Sequence, residues 1–339
     1  MIVGICDYPS AYAFPPRGYG SIERWLWAVA VGAQEWGATV HLLGPQWRTD
    51  LPPTFGRLDL RLEDLRAPDK RLDALVGLGL DLIVAGHEYP ALPAWRWTAE
   101  RLGCTIATFQ HDPRFVHPAG TFDGSRTRLY CYSDEMVQLY RAHHPRPELS
   151  VQIGTDEEPL PAREGDYLVW LGRICADKAP HLAARVAARL GRRLRLIGPV
   201  HDREYVFQHA ADFDTAEVAW VGELGGMEKS KALAEAGTLV YTCAPDYVEA
   251  GAAVFGDAIR AGTPVAALAW RPGTCPEAAL CHDTGAVAVI PPGSGEAAAV
   301  EALCAAVTAT DRMDPGTVQH VGLRRFDPVR HFEALAGLR

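Results

Sequence analysis

Two acidic residues, Glu249 and Asp257, stand eight positions apart in EAGAAVFGD, and the four residues that follow the first of them carry almost no side chain. A second group, GRICADK at 172–178, sets Arg173 and Lys178 five positions apart. Gly172 frees the backbone to turn at a strand end, so that both cations can project above the carboxyl edge of a sheet. Two fixed cations there suit a diphosphate, which takes planar and point-charge donors together. Ala250, Gly251, Ala252 and Ala253 leave the first-turn N–H groups of a helix uncovered. An anionic group can then approach the positive end of the helix dipole. Glu249, just before that helix, can accept hydrogen bonds from sugar hydroxyls. Asp257, two turns in, can reach a ribose diol beside the same phosphates.

These groups need strand ends to hold them, and the chain supplies such ends in series. Apolar runs IVGIC (2–6), TVHLL (39–43), DLIVAG (81–86), TIATF (105–109), RLYCY (128–132) and SVQI (150–153) alternate with helical stretches. SIERWLWAVAVGAQEWG has apolar residues at 22, 25, 26, 29, 30 and 33, a helical rhythm that ends in Gly37. DEEPLPAREGD (156–166) has no apolar period and reads as a linker. The alternation then restarts with YLVWL (167–171), LRLIG (194–198), VAWVG (218–222), TLVYTC (238–243), PVAALAW (264–270) and AVAVI (286–290). This predicts an α/β protein of two doubly wound, Rossmann-like halves with parallel sheets, divided at 160/161. Ligands of such sheets bind outside the carboxyl ends of the strands. GRICADK follows YLVWL, and Glu249 follows TLVYTC, as that rule requires.

The whole-chain properties narrow the function. At 339 residues the chain exceeds one ordinary core and fits two domains. A net charge of -9 disfavours nucleic acid as a partner, because such binding needs a basic face. No window is long and apolar enough to span a bilayer, and the N-terminal apolar stretch is too short for a signal peptide. Eight scattered cysteines without CxxC pairs read as small core residues of a reducing cytosol, and a cytoplasmic location follows. Only four lysines occur, at 70, 178, 229 and 231, so each stands out.

The ordered landmarks YGSIERWLWAVAVGAQEWGATVHLL, TFQHD, LGRICADKAPHLAARVA, VAWVGEL and Glu249 through Val265 resemble the retaining GT-B glycosyltransferases of family 4, which carry an acid-x7-acid motif. The resemblance covers most of the chain. It implies a GT-B architecture: an N-terminal acceptor-binding domain (1–160), a donor-binding domain (161–322), and a final segment, 323–339, that crosses back to the first domain. It implies a metal-independent transfer of a sugar from a nucleoside diphosphate, UDP by family habit, to an acceptor hydroxyl, with no further cofactor. Arg173 and Lys178 match the pair on the donor diphosphate, Glu249 the acid on the donor sugar, and Asp257, where the family usually has Glu, the acid on the ribose. Gly18 and Gly20 match the glycine loop before the first long helix, and His111, with Asp112 beside it to orient it, the histidine on the donor sugar. Gly198, Pro199 and Val200, and Val221 to Leu224, match segments lining the base and ribose pocket. The composition fits an accessory enzyme that decorates an oligosaccharide antibiotic of the avilamycin type, acting as a monomer or homodimer.

Other readings keep a place. A sugar-nucleotide epimerase or hydrolase on the same fold would need the same cations and histidine, and a silent nucleotide-sugar-binding subunit would need only the pocket. GYGSIE lacks the third glycine of a dinucleotide fingerprint. Asp212-Phe-Asp214 mimics a metal motif but sits in a polar stretch, so no metal is expected. Thr274-Cys-Pro-Glu277 has capping-box spacing. Of nine tryptophans most should be packing, though Trp25, Trp27, Trp95 or Trp97 could form a stacking surface for a sugar or aglycone.

Overall fold

A computed structural model describes residues 1–86, 89–150 and 159–338. Apart from Ser150, the strand expected at 150–153 lies outside the described residues, as do the first three residues of the expected linker. The chain divides into two compact units, one of Met1–Pro16, Gly20–Asp156 and Asp327–Arg339, the other of Arg17–Tyr19 and Glu157–Phe326.

The first unit holds a seven-stranded sheet of β1 (Ile2–Cys6), β2 (Thr39–Leu43), β3 (Gly56–Leu58), β4 (Leu82–Ala85), β5 (Thr105–Phe109), β6 (Thr127–Cys131) and β7 (Glu148–Leu149), in the order β3-β2-β1-β4-β5-β6-β7. Every pairing is parallel. That arrangement explains why the central strands are near-continuous apolar runs, since helices must cover both faces. The edge strands β3 and β7, three and two residues long, have too few residues to print a pattern. Pairing to Tyr130 and Cys131 places β7 just upstream of the run expected from the sequence.

The helix Ile22–Trp36 ends where expected, with Gly37 in the left-handed region at φ 99°. Its buried face receives the final helix, Pro328–Ala336. The indole N–H of Trp25 donates to Nε2 of His331 at 2.8 Å, and the rings of Trp36 and Phe332 lie 5.7 Å apart. Gly32 permits the approach: a Cβ there would come within 2.2 Å of the Pro328 carbonyl oxygen. Gly32→Ala is therefore expected to cost about 3 kcal/mol by overpacking against backbone that cannot swing aside. Thermal melting of the variant measures this, and an unchanged melting temperature would contradict so close a packing.

The second unit holds a six-stranded sheet of β8 (Tyr167–Leu171), β9 (Leu194–Ile197), β10 (Val218–Gly222), β11 (Ala236–Tyr241), β12 (Val265–Ala269) and β13 (Gly285–Val289), in the order β10-β9-β8-β11-β12-β13. Its pairings are parallel throughout. Thr274 and Glu277 form the capping box their spacing predicts, opening the helix Cys275–Ala279. Seven of the eight cysteines are buried and all eight are free thiols.

Candidate functional site

The sheet of the second unit reverses its strand order between β8 and β11, since β9 and β10 lie to one side and β12 and β13 to the other. Such a switch opens a crevice beyond the carboxyl ends of the two central strands. GRICADK leaves β8 and APDYVEAGAA leaves β11, so sheet order brings Lys178 to Glu249 across 71 positions of sequence.

The first loop is held from both sides. Toward β9, Gly172 N–H donates to the Ile197 carbonyl at 3.0 Å and Ile174 N–H to that of Pro199 at 2.9 Å. Gly198 takes φ 140°, and a Cβ on it would sit 1.8 Å from the Gly172 carbonyl oxygen, so the two loops touch backbone to backbone. Toward β11, the Thr242 hydroxyl donates to the Lys178 carbonyl at 2.7 Å and receives the Trp170 indole N–H at 2.9 Å. Ala244 N–H donates to the Asp177 carbonyl at 2.9 Å. Ala179 is the only non-glycine residue at positive φ among the described residues, at 44°, and Pro180 then opens the next helix. Left-handed alanine stores about 1 kcal/mol of strain, which the hydrogen bonds on either side maintain.

The charges come together at Glu249. Lys178 Nζ donates to Glu249 Oε2, and the Tyr241 hydroxyl donates to the same oxygen at 2.8 Å. Lys178 also lies over the Tyr247 ring, 4.6 Å from its centre. Both members of the pair are largely withdrawn from water, with 15% and 8% of the side chain exposed. Burial works against charge on each, but the partner outweighs it. Lys178 is raised above its ordinary value, and Glu249 is lowered by Lys178, by Tyr241 and by the Gly251 N–H. The Tyr247 hydroxyl is pushed up to about 12 by burial and by Glu249, while Lys178 and Arg173 pull the other way. Arg173, Lys178 and Glu249 together leave one net positive charge at the crevice, available to an anion.

One expectation needs correction here. The helix that follows Glu249 is Ala253–Arg260 with Ala252 as its N-cap, so Ala250 and Gly251 precede it. Gly251 N–H donates to Glu249 Oε1 at 3.4 Å, which leaves the helical first turn, from Ala253, to face an anion. The cause is local: Glu249 is turned back into the loop by Lys178, and its second oxygen takes the nearest amide. Asp257, expected to reach a ribose diol, is met at one oxygen by Lys229, whose Nζ donates to Oδ2 at 2.9 Å.

The segments expected to line a base and ribose pocket differ in exposure. Pro199 is half-buried, Val200 and Val221 are exposed at 47% and 39%, and Leu224 is half-buried. Gly18 and Gly20 do not act as one element. Arg17–Tyr19 cluster with the second unit, where Tyr19 N–H donates to Glu223 Oε1 at 2.5 Å, while Gly20, at φ 149°, belongs to the first. Tyr241 and Tyr247 were not singled out by the motif reading, and Glu223 and Lys229 were given no role of their own. The signal for Lys229 was present, since only four lysines occur.

In the first unit, His111 follows β5 and packs against Trp25, Phe109 and Tyr132, with ring centres 4.9, 6.4 and 5.6 Å away. Asp112, expected to orient it, accepts the Arg114 N–H at 2.8 Å, closing its own turn. Of the four tryptophans named as alternatives, Trp25, Trp27 and Trp95 are buried as packing residues and Trp97 is exposed. Trp25 and Trp95 spend their indole N–H groups inside, on His331 and on the Leu65 carbonyl.

Asp7, at the carboxyl end of β1, is fully buried, and its Oδ2 accepts the Gln46 N–H at 2.5 Å. Burial raises its carboxyl from 3.8 to about 7, with the Gln46 N–H opposing. A raised acid contributes stability below its unfolded value and loses it as pH rises through the folded one, so this contribution fades between about pH 4 and 7. Three units correspond to about 4 kcal/mol. Asp7→Asn should therefore lose less stability than wild type between pH 4 and pH 8 in urea titrations. Equal losses would show that the carboxyl ionises freely.

Among the described residues, no group of three or more His, Cys, Asp or Glu side chains is arranged to hold a metal ion. Asp212 of the metal-like Asp-Phe-Asp instead takes Arg185 through both oxygens, at 2.7 and 2.9 Å. No described helix is long and apolar enough to cross a membrane.

No protein-family model and no curated protein sequence matches the chain. Solved structures do. The chain superimposes on AviGT4, a glycosyltransferase involved in avilamycin A biosynthesis, with a TM-score of 0.72 at 21% identity, over 99% of this chain and 95% of that one. WaaG, a glycosyltransferase involved in lipopolysaccharide biosynthesis, gives 0.68 at 16% identity, over 99% and 100%. Anabaena HepE, solved in complex with UDP-glucose, gives 0.66 at 13% identity, over 100% and 99%. At these identities the likeness is one of fold, and the two parallel-sheet units with their alternating helices are those of the GT-B glycosyltransferase fold.

Proposed function

We propose that the protein is a metal-independent, retaining glycosyltransferase of the family 4 type. It moves a sugar from a nucleoside diphosphate, UDP in the first instance, to an acceptor hydroxyl. The observation that carries this reading is the buried Lys178–Glu249 pair at the switch point of the second unit, beside Arg173 and the open first turn at Ala253. A buried ion pair contributes little to stability and is kept where its charges do something else. Here an incoming diphosphate competes for Lys178. As it binds, Lys178 turns part of its charge to the phosphates, and the Glu249 oxygen that is released can accept from a sugar hydroxyl.

Leaving-group stabilisation is the main demand of the reaction. Lys178, Arg173 and the N–H groups of Ala253 and Val254 supply it as the negative charge develops on the departing diphosphate. Retention follows if the acceptor attacks on the face the diphosphate leaves, with a departing phosphate oxygen taking the acceptor proton. Gly172, Gly198 and Pro199 shape the loop contact beneath the phosphates, Val221 and Leu224 serve the base, Asp257 the ribose, and Gly18 the phosphate loop. The likeness to AviGT4 supports natural-product oligosaccharides as the acceptor class.

Calorimetric titration with UDP, GDP, ADP and dTDP in EDTA tests the reading. Binding of one of them without metal is expected, and no binding by any would remove its basis.

A further inference from the structure

Lys229 and Asp257 form a second buried ion pair 2.9 Å long, with 5% and 7% of their side chains exposed. Lys229 lies in the first turns of the helix Gly226–Ala234 and Asp257 in the helix Ala253–Arg260. The pair uses only one oxygen of the carboxylate. Asp257 Oδ1 is shielded from solvent and has no hydrogen-bond partner among the described residues. A bare buried carboxylate oxygen is costly, because it has lost its water and gained nothing in exchange.

Its position says what could satisfy it. Asp257 is four residues beyond Ala253, on the same helix face and about 6 Å below the first turn. A group bonded to an anion seated at that turn reaches the level of Oδ1. An uncompensated carboxylate there would repel the anion, and Lys229 cancels that charge.

Resting on the donor-site reading above, we propose that Lys229 is the positioning residue for ribose recognition: its ammonium holds Oδ2 of Asp257 and neutralises it, so that Oδ1 is presented to a ribose hydroxyl. The shorter Asp suits this role, because its carboxylate is fixed by a neighbour and needs no further reach. Lys229 itself need not touch the ligand.

The test is calorimetric titration, in EDTA, of UDP, 2′-deoxy-UDP and 3′-deoxy-UDP, or the same three forms of whichever base binds. Proteins compared are wild type, Asp257→Asn, Lys229→Met and Lys229→Arg. Wild type should prefer the ribose form over one deoxy form by about tenfold, the value of one hydrogen bond to a charged group. Asp257→Asn and Lys229→Met should each bring that ratio within about twofold, and Lys229→Arg should restore it. The two losses should differ in sign elsewhere. Asp257→Asn leaves an ammonium near the phosphates and binds the deoxy form at least as well as wild type, while Lys229→Met leaves a carboxylate and binds it more weakly. A merely structural pair would not produce that opposition. A wild-type protein that binds UDP without preferring ribose, or a Lys229→Met variant that keeps the wild-type ratio, overturns the inference and leaves the donor site standing. If Lys229→Met does not fold, Asp257→Asn decides, and its keeping the ratio overturns the inference equally. Failure of wild type to bind any nucleoside diphosphate overturns the donor site itself.

Discussion

Lys178→Ala is expected to lower turnover between a hundredfold and a thousandfold, roughly 3–4 kcal/mol, by removing a charged donor from the departing diphosphate. It is also expected to destabilise the second unit. Glu249, 8% exposed and held by Lys178 in the wild type, would be left as a buried charge without its counter-ion, a loss of about 3–5 kcal/mol at neutral pH. The two effects separate by pH. In wild type the lowered Glu249 contributes stability above its unfolded value and loses it as pH falls. Without Lys178 the same carboxyl is raised by burial, so its contribution is present at low pH and lost as pH rises. The stability profile of the variant should therefore slope the opposite way through the acidic range. Lys178→Met combined with Glu249→Leu should recover stability without recovering nucleotide binding, since neither apolar replacement leaves a charge behind. Turnover that survives Lys178→Ala, or a double variant that still binds a nucleoside diphosphate as wild type does, would contradict the role given to the pair.

Gly198→Ala should be as damaging as any single methyl group added to this chain. At φ 140° an alanine is strained by about 1–3 kcal/mol, and its Cβ would lie 1.8 Å from the Gly172 carbonyl oxygen, where backbone must move. A loss of about 4 kcal/mol follows, with at least tenfold weaker nucleotide binding, because what moves is the loop bearing Arg173 and Lys178. Gly191→Ala supplies the comparison. Gly191 also has positive φ, at 62°, but nothing lies within 4 Å of its Cβ position, so only about 1 kcal/mol of left-handed strain should appear. Thermal melting and nucleotide titration of the two variants check this, and similar losses for both would mean that the loop contact carries no energy.

The sequence was most legible where its pattern is redundant. Central strands such as IVGIC and YLVWL declare themselves because a parallel strand covered on both faces is apolar along its whole length. Placement was legible too: Arg173, Lys178 and Glu249 lie on the loops that follow β8 and β11, the strands between which the sheet reverses. Pairing was not legible. Nothing in GRICADK says that Lys178 rather than Arg173 takes Glu249, or that Lys229 takes Asp257, because each partner comes from a different loop or helix and the contact is set by packing. Which tryptophans would pack was not legible for the same reason. Trp25 looks like a stacking platform in sequence, but its indole N–H finds His331 on a helix 306 positions away. Gly18 and Gly20 show the limit at short range: the Glu223 carboxylate that takes the Tyr19 N–H between them lies 204 positions away in sequence.

The measurement that bears most directly on the account is a crystal structure of the protein with UDP, or with whichever diphosphate binds, grown in EDTA. The account places the β-phosphate within hydrogen-bond distance of Lys178 and Arg173, with its oxygens facing the N–H groups of Ala253 and Val254 and no metal beside them. A diphosphate seated elsewhere, with the Lys178–Glu249 pair undisturbed, would contradict it.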